Sequence, residues 1–401
     1  MRTTSLLHVI NLSKGKSVII NNSVKRCLFT YFVFAFMFSL STYGQLPTAQ
    51  HIAGKMKVGW NLGNTLEAIC AEDAWGAGQT SQQLIDSVKA AGFNTIRIPV
   101  AWFCHSDTVN SIIDENWLAR VKEVVDYCIN NDLYVIINAH WDNGWLENRV
   151  NEANQSLVNR RQEAYWRQIA AYFNDYDERL LFAGANEPNV HDDTAMSVLL
   201  TYHQTFIDAV RATGGNNSSR TLIIQGPSTD IEATNNLMNT LPADKIEDRL
   251  IVEVHYYTPF QFCLMDKDAN WGNTFYYWGK DNHSKTDTSR NATWDEERDV
   301  EKLFGWMKTK FVDKGIPVII GEYGAYKRKL NPPSDQELNN ASVEYYHRYI
   351  LKSATSKGII PFIWDTPGGI FNRSNGKILD KGVLDAIMQG AKEGDNIKEL
   401  Y

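Results

Sequence analysis

The chain has 401 residues, of which 43% are hydrophobic and 22% charged, with a formal net charge of −7. This fits one large soluble domain. The acidic balance argues against nucleic acid and anionic membrane surfaces as partners and suits a neutral substrate.

The first 44 residues contain Arg2, Lys14, Lys16, Lys25 and Arg26 but no Asp or Glu. An apolar run from Cys27 to Leu40 follows, then the small residues around Ser41 to Gly44. That order is a secretory signal peptide, and the run is shorter than the ~20 residues a membrane span needs. Cleavage is expected near Gly44 or Gln45, with a signal anchor as the alternative. The expected layout is a leader over 1–44, one domain over 45–401, and export to the exterior or periplasm. Losing the leader takes the net charge from −7 to −12. Cys70, Cys104, Cys128 and Cys263 remain, too widely spaced for a zinc pattern. Cys70 with Cys104 is a candidate disulfide that the sequence leaves open, and Cys128 reads as a buried helix thiol.

Short apolar runs then alternate with amphipathic stretches. Strands are expected at 56–60, 94–98, 133–138, 180–185, 221–225, 250–255, 317–321 and 359–364. Helices are expected at about 81–91, 117–130, 160–174, 196–212, 232–240, 296–314, 342–356 and 381–392. Eight strand–helix units mean a (β/α)₈ barrel or a doubly wound open sheet. Charged and aromatic residues recur at the carboxyl end of nearly every strand, and no Gly-x-Gly-x-x-Gly follows any of them. Both facts favour a single TIM barrel, with a long loop after strand six. No second domain is expected.

The strand ends carry the chemistry. Arg97 lies among apolar neighbours on strand two, and His140 follows strand three. Asn186-Glu187-Pro188 ends strand four, and His255-Tyr256-Tyr257 ends strand six. Glu322 ends strand seven, and Trp364-Asp365 ends strand eight. A carboxylate at the end of a buried strand is costly to desolvate unless chemistry or a partner holds it there. Two such groups on separate strands are what glycoside hydrolysis requires.

Asn186-Glu187-Pro188, His255-x-Tyr257, Gly321-Glu322 and Trp364, in this order, resemble glycoside hydrolase family 5. Gly59-Trp60-Asn61-Leu62-Gly63-Asn64-Thr65-Leu66-Glu67 is similar to the opening of its endoglucanase members. The resemblance spans about residues 50–395. It implies a retaining mechanism, no cofactor, and a β-linked glucan or mannan substrate. Glu187 would be the general acid/base and Glu322 the nucleophile, with carboxylates ~5–5.5 Å apart. Repulsion from Glu322 would raise the pKa of Glu187, while Arg97 kept Glu322 ionised. His255 and Tyr257 would orient the nucleophile's surroundings, Asn186 would bind the sugar 2-hydroxyl, and His140 would line that subsite. Trp364 would form the floor under the sugar. The expected activity is an endo-β-1,4-glucanase acting as a monomer on cellulose, mixed-linkage glucan or xyloglucan.

Competing readings are an endo-β-1,4-mannanase, a non-catalytic glycan-binding barrel, and a metal site among His105, His140 and His255. No His-x-His or His-x-x-x-His pair supports the last. Related endoglucanases often carry two successive histidines after strand three; here the second position is Trp141. Trp60 reads as packing rather than a sugar platform, and Asn64 and Glu67 as loop stabilisers. The stretch from Thr258 to about Asp295 holds Trp271, Phe275, Tyr276, Tyr277 and Trp278. It either walls the cleft with stacking sites or pins itself to the barrel with those rings.

Overall fold

The computed structural model describes residues 44–332 and 334–398. Residues 1–43 of the expected leader therefore lie outside the described residues. A compact unit begins at Gln45. Eight strands form its centre: β1 (Gly59–Leu62), β2 (Thr95–Ile98), β3 (Tyr134–Asn138), β4 (Leu180–Ala183), β5 (Leu222–Gln225), β6 (Leu250–Tyr256), β7 (Val318–Tyr323) and β8 (Ile359–Asp365). Each pairs in parallel with its sequence neighbours, and β8 closes on β1. The fold is the TIM barrel the alternation implied.

Around it lie α1 (Ala49–Lys55), α2 (Gln82–Ala90), α3 (Glu115–Ile129), α4 (Glu152–Tyr172), α5 (Asp193–Arg211), α6 (Ile231–Leu237), α7 (Glu297–Lys310), α8 (Gln336–Ser356) and α9 (Lys381–Lys398). Side chains of Thr48, Ser81, Asp114, Asn151, Asp192, Asp230 and Asp335 each accept a backbone N–H in the first turn that follows. Such caps satisfy donors that a helix start leaves unpaired, at about 1 kcal/mol each. They also explain why α4 and α8 begin several residues before the apolar periodicity does. The seven-residue α1 and a small hairpin, Ser106–Asp107 with Ile112–Ile113, were not legible from the pattern.

Parity along the strands divides the core in two. Residues such as Val135, Ile137, Leu180, Phe182, Ile224, Val252 and Ile320 face outward and pack under the helices. The alternate residues Ile136, Leu181, Ala183, Ile223, Ile251, Ile319, Ile360 and Phe362 fill the barrel's lower interior, closed from below by Ala49 and Ile52 of α1 and by Met56 just after it. One step further along the same inward parity the chemistry turns polar: Asn61, Arg97, Asn138, Gln225 and Glu253 are all fully buried. That layer is the base of the site.

Candidate active site

Arg97 organises the polar layer. Its Nη1 donates to Glu322 Oε1 at 2.8 Å and to Asn61 Oδ1 at 3.0 Å, and its Nη2 donates to Asn186 Oδ1 at 2.8 Å. Its Nε stands 3.0 Å from Glu253 Oε1, an ion-pair distance at an angle unsuited to a hydrogen bond. Glu322 also accepts from the Tyr257 hydroxyl, at 3.0 Å, through Oε2. With its side chain 8% exposed, Glu322 is a floor carboxylate, whereas Glu187 is a rim carboxylate with 43% of its side chain exposed.

Strict alternation cannot put Glu322 there. Ile319 and Gly321 already take the inward positions of β7, so Glu322 belongs on the outer face. The register slips at this point: Val254 pairs with Ile320 but His255 pairs with Glu322, and the β8 pairing slips beside it. The extra residue is a β-bulge that re-aims Glu322 into the barrel. Gly321 suits it because a Cβ there would lie 1.9 Å from Glu253 Oε1.

Between the two carboxylates stands His255. Its Nδ1 is 2.7 Å from Glu187 Oε1 and 3.8 Å from Glu322 Oε2, and its Nε2 is 3.2 Å from Glu253 Oε1. His140 Nδ1 accepts a hydrogen bond from Asn138 Nδ2 at 3.1 Å, and its ring stacks on Trp364, with ring centroids 5.7 Å apart and planes 8° from parallel. All eight residues singled out in the sequence therefore meet at the carboxyl end of the barrel. Ligand-type atoms of Glu187, His255 and Glu322 lie within 4.8 Å of one another, on the short side that retaining glycosidases use.

Comparison with known proteins places this constellation. The model of the cellulase family, glycosyl hydrolase family 5, matches residues 53–368. The chain belongs to glycoside hydrolase family 5. Endoglucanase A of Paenibacillus barcinonensis is 34% identical, over 86% of this chain and 90% of that one. A family 5 xyloglucan-specific β-1,4-glucanase from a ruminal metagenomic library, solved with the oligosaccharide XXLG, is 45% identical. It superposes with a TM-score of 0.80, over 87% of this chain and 97% of that one. The Bacteroides ovatus xyloglucanase solved with XXXG is 33% identical with a TM-score of 0.81, over 88% and 78% of the two chains. This family 5 chain is thus a glycoside hydrolase of endoglucanase type.

Its two site histidines carry opposite charge states. Burial and the positive charges of Arg97 and His255 hold His140 well below the ordinary histidine range, so it is neutral. Burial also opposes charge on His255, but Glu322, Glu187 and Glu253 outweigh it and push His255 up to about 10. Both ring nitrogens of His255 are engaged by carboxylates, Nδ1 by Glu187 and Nε2 by Glu253, which leaves the ring no free nitrogen to offer a metal ion. His105 stacks on Trp117 instead.

One expectation is corrected. Burial raises the pKa of Glu187, but the hydrogen bond and charge of His255 outweigh it and hold the carboxyl below its usual range. Repulsion from Glu322 is outweighed because His255 stands between the two acids.

Three buried carboxylates escaped the sequence reading as parts of the site. Glu253 sits inside β6 as Arg97 sits inside β2, a charge flanked by apolar residues, and the same test finds both. Glu147 accepts the backbone N–H of Glu187 at 2.6 Å and is pushed up to about 7, by burial first and then by Glu187. Asp142 accepts the backbone N–H groups of Trp102, Phe103 and Cys104, tying the loop after β2 to that after β3. Glu67 accepts the N–H groups of Asn64 and Thr65, as a loop stabiliser should. Trp60 is fully buried and donates to Asp365 at 3.0 Å, which makes it packing. Cys70 and Cys104 sit side by side as free thiols, and Cys128 is buried.

The long loop divides its aromatics between both roles foreseen for it. Phe275, Tyr277 and Trp278 are buried, and Trp278 packs on Tyr345, Tyr346 and Tyr349 of α8. Phe260, Leu264, Trp271 and Trp294 are exposed. Phe260, Leu264 and Trp294 line a cavity of about 430 Å³ that reaches Glu187. A second cavity, of about 550 Å³, meets it at Tyr257 and Leu264 and runs past Trp364 to Tyr326. Together they form a groove that passes Glu187, His255, Tyr257 and Trp364.

Proposed function

We propose that this enzyme is an exported, retaining endo-β-1,4-glucanase whose preferred substrate is xyloglucan. The observation that carries the mechanism is the pair of carboxylates that bring one oxygen each within 4.8 Å, one on the floor and one at the rim. Glu322, fixed by Arg97 and Tyr257, attacks the anomeric carbon, while Glu187 protonates the departing oxygen. Burial first, and then Glu322, hold the Tyr257 phenol well above its usual range, so it stays a donor to the nucleophile. Water entering at the rim then loses a proton to Glu187 and releases the sugar with its configuration kept. Asn186, its oxygen occupied by Arg97, presents its amide N–H groups towards Glu147 and the sugar 2-hydroxyl. Trp364, oriented by His140, supplies the apolar floor.

The preference for xyloglucan is supported by the 45% identity to a xyloglucan-specific glucanase and by two adjoining cavities of about 550 and 430 Å³ beside the site. Export is supported by the basic, apolar and small-residue order of residues 1–44. The deciding experiment compares reducing-sugar release from xyloglucan, barley β-glucan, carboxymethylcellulose and mannan, with the anomer of the first product read by NMR. Fastest release from xyloglucan with initial β-anomer is expected. Release from mannan alone, or initial α-anomer, would overturn the assignment.

A further inference from the structure

Beneath His255 lies a fully buried carboxylate that the reaction does not touch. Glu253 precedes His255 by two residues on β6, so both point into the barrel, one directly below the other. Its Oε2 accepts from Gln225 Nε2 at 2.6 Å, and its Oε1 faces His255 Nε2 at 3.2 Å and Arg97 Nε at 3.0 Å. Gln225 is itself held, its Oε1 accepting the backbone N–H of Ala185 at 2.9 Å. The position is sterically exclusive as well, since a Cβ on Gly321 would collide with Glu253. A charge placed this deep, with three partners, is a large desolvation cost for Arg97 alone to offset.

We propose that Glu253 is a positioning residue that fixes His255 as a doubly protonated ring with its Nδ1–H aimed at Glu187, so that the Glu187–His255 pair retains the proton the leaving group needs. This rests on the assignment of Glu187 as acid. The proton count balances: the Nδ1 proton crosses the 2.7 Å bond to Glu187 Oε1 and passes from there to the glycosidic oxygen. His255 is left neutral, with its Nε2–H still on Glu253, and the proton returns from water during deglycosylation. The charged and titratable groups facing His255 are Glu253 on its own strand, Glu187 from the end of β4, Glu322 from β7, Arg97 from β2, His140 after β3, and Tyr257. Removing a buried negative charge from this set makes the shared proton easier to lose.

The test is the pH profile of kcat/KM on xyloglucan for the otherwise unaltered protein and its Glu253→Gln and Glu253→Asp forms. Glu253→Gln, nearly isosteric, should move the basic limb at least one pH unit towards acid, and Glu253→Asp should keep it near the wild-type position. A Gln form that loses rate equally at all pH values, with the limb unmoved, would reduce Glu253 to a partner for Arg97 and overturn the proposal. Should the Gln form fail to fold, ¹⁵N NMR of the wild-type imidazoles decides, with His255 assigned by its absence in His255→Gln. Both ring nitrogens protonated at pH 8 support the proposal, and a neutral ring there defeats it. Glu322→Gln separates the two levels. If it kept the wild-type rate the catalytic assignment itself would fall, whereas an unmoved Glu253→Gln limb beside an inactive Glu322→Gln removes only the role of Glu253.

Discussion

The lower and upper halves of the barrel interior are built by the same strands at the same parity, yet they do opposite things. Ile251 sits two residues below Glu253, Ile223 two below Gln225, and Ile136 two below Asn138. The lower layer is apolar, sealed by α1, and contributes stability through burial at roughly 25 cal/mol per Å². The upper layer buries ions and amides that are costly to desolvate and are held only by one another. The same scaffold thus provides a rigid base and, one step up, a preorganised electrostatic site.

Substitutions in the two layers should separate activity from stability. In the upper layer Glu322→Gln should cut kcat by about 10⁴-fold or more while the protein stays folded, since Glu253 still faces Arg97. Glu187→Ala should lose about 10²–10⁴-fold on polysaccharide and far less on an aryl glycoside whose leaving group needs no proton. Comparable losses on both substrates would contradict its role as acid. In the lower layer Ile251→Ala should cost about 2–5 kcal/mol of unfolding free energy in a urea titration while kcat stays near wild type. A collapsed kcat there would mean that the layers are not separable. At their junction Gly321→Ala should do some of both, displacing Glu253 and costing about 1–3 kcal/mol together with activity. An intact rate would show that the bulge can absorb the methyl group.

The smallest effect lies in pH. Glu67 is raised to about 7, chiefly by burial. A carboxyl whose folded pKa is raised contributes stability that is present below about pH 4.5 and lost as pH climbs through 7. Glu67→Gln should therefore lower the melting temperature by a few degrees more at pH 5 than at pH 8. His255, raised to about 10, adds stability present below its unfolded value and lost as pH rises through 10. Melting curves between pH 6.5 and about 10 should show that loss, and Glu253→Gln should shift its upper end towards acid.

Much of this was readable because strand and helix periods are local. Seven of the barrel strands lie where the apolar runs put them, while β1 starts three residues later than expected and overlaps its run only at 59–60; the ring of residues at their ends follows once the barrel is accepted. Glu253 was overlooked because a lone charge inside an apolar run looks like an interruption, although Arg97 had been recognised on the same grounds. The charge state of Glu187 was misjudged because it depends on which group stands between two acids, and that is a distance, not a spacing. The loop over 258–295 kept two readings because an aromatic residue has the same preference for a cleft as for a core.

By itself the sequence determined the alternation of elements, the inward parity that turns from isoleucine to glutamate, and the presence of two strand-end carboxylates. Only the tertiary structure decided that the pairing slips at Gly321. Register is set between strands, by contacts far apart in the chain, and a slip of one residue exchanges the two faces of a strand. Without it Glu322 would lie against the helices and Glu187 would face no second carboxylate across the sugar.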